Sequence, residues 1–224
     1  MRKKWLAAVA VLVLMTGIIG GVMLAEGKGR VDEAAALDYL VLVNDRHPLP
    51  DGLEDAMETI TVTNSRGKEV TVERAAYEAY LELKAALAQD NVTVDIDSAY
   101  VSVAEQQAKV DRLIAQNGES MAKQYAATPG YSEYHTGLAM NLYLIIDGKN
   151  VYKAKDMILY PEIWAAIQAR LAEFGFILRY PYDKADVTGY DSVPWYIRYV
   201  GIEAAQTMKD QNLALEEYVE MLGR

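Results

Sequence analysis

Pro129-Gly130-Tyr131-Ser132-Glu133-Tyr134-His135-Thr136-Gly137-Leu138-Ala139-Met140-Asn141-Leu142 leads into a strand. Leu138 to Ile146 reads as that strand, and Asp147-Gly148-Lys149-Asn150 turns it into Val151-Tyr152. Upstream, Val92, Val94 and Ile96 alternate with Thr93, Asp95 and Asp97, the pattern of a half-buried strand. Between them, Ser102-Val103-Ala104-Glu105 fits a capping box and opens a helix with Val103, Val110, Leu113 and Ile114 as its inner face. Further upstream, Glu73 to Gln89 predicts an amphipathic helix, with Ala76, Tyr80, Leu83 and Leu87 on one face. Thr61 to Thr71 reads as a hairpin turning at Asn64-Ser65-Arg66-Gly67. Downstream, Pro161 suits the first turn of a helix running to Phe174, with Gly175 at its C-cap. Phe176–Tyr180 and Trp195–Val200 read as strands, and Ile202–Leu222 as one long closing helix. Helices and short strands are interspersed without a regular βαβ rhythm, so the expected class is α+β, a central antiparallel sheet flanked by helices.

The opening stretch resembles the first metal motif of the VanY-type zinc D-alanyl-D-alanine carboxypeptidases, S-x-H-x-x-G-x-A-x-D, with Ser132, Gly137 and Ala139 in register. Val193-Pro194-Trp195-Tyr196-Ile197-Arg198-Tyr199-Val200-Gly201 resembles the second, E-P-W-H-F-R-Y-V-G. Leu40-Val41-Leu42-Val43-Asn44, followed by His47-Pro48-Leu49-Pro50, resembles the family's L-V-N-x-x-H-P-L-P entry. Gly175 to Pro181, and Lys184, Thr188, Gly189 and Tyr190, match its scaffold. The resemblance runs from about Leu40 to Gly201 and implies a D,D-carboxypeptidase-like domain over residues 40–224.

At the positions that carry the family's chemistry this chain departs from it. The metal-ligand positions hold Tyr134, Asn141 and Tyr196, and the catalytic glutamate position holds Val193. A phenol must lose a proton near pH 10 before it ligates well, an amide carbonyl is a weak ligand without charge, and valine cannot act as a base. Ser98-Ala99-Tyr100-Val101-Ser102 resembles the family's S-G-Y-R-S segment, with Val101 where an arginine would pair with a substrate carboxylate. The resemblance with these departures implies a pseudoenzyme: no catalytic residue, no metal, and zinc absent as a cofactor. The candidate cleft-binding residues are Tyr100, Val101, Ser132, Tyr134, His135, Asn141, Val193, Trp195 and Tyr196. His135 lies one residue from a ligand position, and a one-residue step along an extended backbone turns it away. Ser132 reads as a turn or cap hydroxyl, His47 as structural, and Glu133, Asp147 and Glu162 as solvated surface carboxylates. The function expected is binding or scaffolding of peptidoglycan peptides or a wall protein at the bacterial envelope. The alternatives are a divergent peptidase with a non-standard metal site and a purely protein-binding module.

Arg2-Lys3-Lys4 precedes Trp5 to Ala25, 21 residues without a charge. At about 1.5 Å per residue such a helix would span roughly 30 Å, the hydrocarbon thickness of a bilayer. Residues 1–26 therefore read as a membrane anchor, with a cleaved signal as the alternative, and 27–39 as a linker with a short helix. The positive-inside rule places the C-terminal domain outside the cytoplasm, on a single-pass membrane protein or, if residues 1–25 are cleaved, a secreted one. The formal charge of −10 excludes nucleic acid as an electrostatic partner. The chain has no Cys, so disulfides and thiolate metal sites are excluded.

Overall fold

The strand expected from Leu138 lies in the middle of the domain. In the computed structural model of the protein, the described residues are 37–120, 122 and 126–224. The chain divides into two units, Met1–Ala34 and Ala35–Arg224, and the second is the one described below. The expectation of an anchor or signal over residues 1–26, and most of the linker after it, lies outside the described residues. Among those described, no helix is long and apolar enough to cross a membrane. Residues 37–40 end in a turn, in which the Leu40 N–H donates to Asp38 Oδ1 at 2.9 Å.

After a short helix α1 (Leu53–Ala56), β1 (Thr59–Thr63) and β2 (Glu69–Glu73) form a two-stranded antiparallel hairpin. Helix α2 (Arg74–Gln89) follows, capped by the Glu73 carboxylate, which accepts from the Ala76 N–H at 3.0 Å. The second sheet contains β3 (Val94–Ser98), β4 (Ala139–Ile146), β5 (Lys149–Val151), β6 (Phe176–Leu178) and β7 (Tyr196–Tyr199). Its order is β3-β4-β7-β6, with β5 pairing β4, and every pairing is antiparallel. The α+β expectation therefore holds, with helices flanking this sheet.

Side chains alternate across β4, as strand geometry requires. Met140, Leu142 and Leu144 join the main core with Ala76, Tyr80, Leu83 and Leu87 of α2. Burying a side chain such as Leu83 or Leu87 stabilises the fold by roughly 1.5–3 kcal/mol. Ala139 instead packs with Tyr180 and Tyr196 in a separate small cluster, against which Tyr134 and Val193 lie. One strand thus supplies both the core and the floor of the site.

Three local readings are corrected. The alternation expected of β3 fails at Asp95, which is buried and accepts from the Ser65 N–H at 2.8 Å and the Tyr80 hydroxyl at 3.2 Å. Helix α3 (Val103–Asn117) keeps its capping box, but its buried residue is Gln106, whose amide donates to the Ala127 carbonyl at 2.7 Å. Its apolar residues are only partly covered, and Ile114 is exposed. The closing helix is two helices, Ile202–Gln211 and Leu215–Met221, because Asn212 adopts φ 50°, a left-handed conformation that ends the first.

Candidate functional site

The two motif segments meet across the β4–β7 ladder. Asn141 pairs directly with Tyr196, and Ala139 with Arg198. Tyr134 reaches the same spot from a 3₁₀ turn, Glu133–Thr136, entered from Ser132 and closed at Gly137. Gly137 has φ 65°, and a Cβ there would stand 3.1 Å from that of Glu73, so both the turn and the close approach of β2 require glycine. The Ser132 hydroxyl accepts from the Tyr134 N–H at 3.4 Å, the cap role expected from sequence.

The Tyr134 and Tyr196 rings meet edge to face, with centroids 5.2 Å apart and planes at 72°. Tyr180 continues the wall, 5.1 Å from Tyr196 and 4.9 Å from Tyr190. The Asn141 amide donates to the Tyr134 hydroxyl and, at 3.4 Å, to Ser98 Oγ. Ser98 Oγ itself lies 3.4 Å from the Tyr134 hydroxyl, to which it donates. Asn141 Oδ1 is buried without a partner among the described residues. Burial pushes the Tyr134 phenol up to about 12, with hydrogen bonds from Ser98 and Tyr196 partly offsetting it. Burial, then the neighbouring Tyr134, drive Tyr196 well above the ordinary phenol value. Both phenols are therefore neutral at physiological pH.

Sequence reasoning placed Glu133 in solvent; it is buried. Arg179 Nε donates to its Oε2 at 3.0 Å, and Arg198 Nη1 to its Oε1. Arg179 also grips Glu216 with two bonds of 2.9 and 2.7 Å, and Arg198 donates to the carbonyls of Tyr39 and Val41 at 3.0 and 2.9 Å. Burial alone would raise Glu216, but the Arg179 guanidinium outweighs it and holds the carboxyl below its ordinary value. A buried carboxylate between two guanidinium forks is satisfied and charge-balanced. The local signal for it was the polar Glu beside an expected cap; its partners lie 46 and 65 residues away along the chain.

A cleft of about 340 Å³ opens over this floor, lined by Ser132, Tyr134, Asn141, Val193, Trp195 and Tyr196 of the expected residues. Gln106, Lys109, Tyr180 and Tyr190 line it as well and were not among the cleft residues expected from sequence. Tyr100 and Val101 line an adjacent concavity instead. His135 faces neither: its Nδ1 lies 2.6 Å from the Val101 carbonyl, and its Nε2 accepts from the Gly130 N–H at 3.1 Å. The turn is 3₁₀ and not extended as expected, yet it still directs His135 away from Tyr134. His47 Nδ1 lies 2.9 Å from Asn44 Oδ1.

Residues 69–202 match the family described as VanY: D-alanyl-D-alanine carboxypeptidase. The putative carboxypeptidase YodJ of Bacillus subtilis (strain 168) is 32% identical over 191 residues, covering 84% of this chain and 69% of its own. The LdcB LD-carboxypeptidase, whose structure reveals the molecular basis of peptidoglycan recognition, is 30% identical, with a TM-score of 0.70 over 81% of this chain and 86% of its own. A variant of the vancomycin-resistance D,D-pentapeptidase VanY in complex with Zn(II) is 30% identical, with a TM-score of 0.63 over 81% of this chain and 98% of its own.

That Zn(II) complex corrects the expectation of a protein without cofactor, since zinc is bound within the family. The donors this chain presents at the mapped positions are two neutral phenols and an amide. Among the described residues, no group of three or more His, Asp or Glu side chains converges as a metal site. This donor set lacks the imidazoles and carboxylate of a hydrolytic zinc centre, so no chemical step is derived through a metal. The motif register, the shared fold and the match over residues 69–202 together establish that the chain belongs to the VanY D-alanyl-D-alanine carboxypeptidase family.

Proposed function

We propose that this chain is a catalytically inactive D,D-carboxypeptidase-like protein of the bacterial envelope that binds or scaffolds peptidoglycan peptides. The observation that carries the reading is that, among the described residues, no side chain on the cleft floor is placed to accept a proton from an attacking water. Val193 has no acid–base group, the Tyr134 phenol is pushed up to about 12, the Tyr196 phenol is raised well above its ordinary value, and Glu133 is engaged by Arg179 and Arg198. The cleft itself remains, with a size and an aromatic lining suited to holding a small ligand. Peptidoglycan recognition by LdcB supports a wall peptide as that ligand. The basic-then-apolar N-terminal segment supports an anchored protein with this domain outside the cytoplasm.

The test is incubation of the purified full chain, with zinc supplied, with a pentapeptide ending in D-Ala-D-Ala. Free D-alanine and peptide binding are measured side by side. Binding without release is expected. Sustained release of D-alanine would overturn the reading in favour of a divergent peptidase.

A further inference from the structure

The cleft continues into a second concavity of about 790 Å³, lined by Ser98, Val101, Lys109 and Arg112 among others. Lys109 lines both. The floor between them is one hydrogen-bonded piece: Ser98 Oγ donates to the Tyr134 hydroxyl at 3.4 Å, and the Val101 N–H donates to the Tyr134 carbonyl at 3.3 Å. A ligand lying in the cleft therefore has a groove to continue into.

The charge on this groove is unusual for the molecule. Lys109 and Arg112 are exposed and three residues apart on α3, hence neighbours on the helix surface. Among the described residues, neither side chain has a hydrogen-bond or ion-pair partner. The nearby Glu105 is committed to the capping box with Ser102, and Lys68 is held by the Asp97 carbonyl at 2.6 Å. Glu69 is the other carboxylate on the wall. On a chain of net charge −10, Lys68, Lys109 and Arg112 against Glu69 and Glu105 leave the described residues of this groove one positive charge in excess, beside a cleft whose phenols are neutral and whose Glu133 is already balanced. Such a surface complements a ligand with an apolar body and one anionic end.

We propose that Lys109 and Arg112 read the terminal carboxylate of the bound peptide, while its body lies against Tyr134, Tyr190 and Trp195. This rests on the peptide-binding reading above and adds to it the residues that sense the ligand's charge. Val101 lines the same groove, but its side chain offers no donor and its N–H is taken by the Tyr134 carbonyl, so recognition comes from helix α3.

The test compares an N-acetylated tripeptide ending in D-Ala-D-Ala with its C-terminal amide, by calorimetry on the full chain. The free acid is expected to bind about threefold to tenfold more tightly, with the gap narrowing as salt rises. Lys109→Gln with Arg112→Gln, both at exposed positions, is expected to bind the two forms alike, and Lys109→Glu with Arg112→Glu to prefer the amide. A gap that survives both pairs of substitutions, or no gap in the unmodified protein, overturns the assignment while leaving peptide binding in place. Failure of both forms to bind overturns the peptide-binding reading and this inference with it.

Discussion

Asn141 stands directly opposite Tyr196 across the β4–β7 ladder, and its amide donates to the hydroxyl of Tyr134. Asn141→Asp would replace that neutral donor with a carboxylate next to two buried phenols. Its folded-state pKa would rise above the unfolded value, so the penalty is absent at low pH and grows as pH rises through that range. Thermal melts should show little difference from the unmodified protein near pH 4, and a loss of about 1–3 kcal/mol near pH 7.5. An equal loss at both pH values would exclude a charge-based cause.

Glu133 is the sole carboxylate that neutralises Arg198 among the described ion pairs. Removing it by Glu133→Ala leaves a buried guanidinium without a counter-charge and deprives Arg179 of one of its two partners. Breaking a buried pair in this way costs about 3–5 kcal/mol. Urea unfolding should show that loss as a shifted midpoint with little change in slope. A change under 1 kcal/mol would mean that Glu133 is not buried between the two arginines.

Glu216 ties the last helix to Arg179, which holds its carboxyl below the usual 4.5. A depressed folded-state pKa contributes stability that is present above the unfolded pKa and lost as pH falls through the folded one. The unmodified protein should therefore lose stability as pH drops below about 4.5, and Glu216→Gln should flatten that acid limb while costing about 1–3 kcal/mol at pH 7. Denaturant midpoints from pH 3 to pH 7 check this, and parallel curves would refute it.

Gly175 has φ 78°, and a Cβ there would stand 2.8 Å from Tyr199 Cε2 and 3.0 Å from the Gly201 carbonyl carbon. Gly148 has a similar φ of 72° but nothing within 4 Å of such a Cβ. Gly175→Ala should cost about 2 kcal/mol or more beyond Gly148→Ala, because it adds a steric clash to the same backbone strain. Melting temperatures of the two variants measure the difference directly.

Restoring the family's residues tests the loss-of-function reading. Tyr134→His, Asn141→Asp, Tyr196→His and Val193→Glu together supply two imidazoles, a carboxylate and a base on the same floor. With zinc present, release of D-alanine from a pentapeptide should rise by about 10²-fold or more over the unmodified protein. No gain in a folded, peptide-binding quadruple variant would mean that more than these four positions separates this chain from an active enzyme.

The sequence by itself determined the α+β class, the hairpin, helix α2 and its buried face, the capping box of α3 and the register of both motif segments. These follow from local periods, caps and turn residues, which act within a few positions. It also placed Tyr134, Asn141, Val193 and Tyr196 as one set, through resemblance to motifs of fixed spacing. Only the tertiary structure decided that Glu133 is buried between Arg179 and Arg198, that Asp95 turns inward to Ser65 and Tyr80, and that Lys109 stands where two concavities meet. The break at Asn212 belongs with these, since it divides the helix that carries Glu216 from the one before it. The burial of Glu133 and Asp95 depends on charge and hydrogen-bond partners far away in the chain, and whether those partners arrive is something no local pattern encodes.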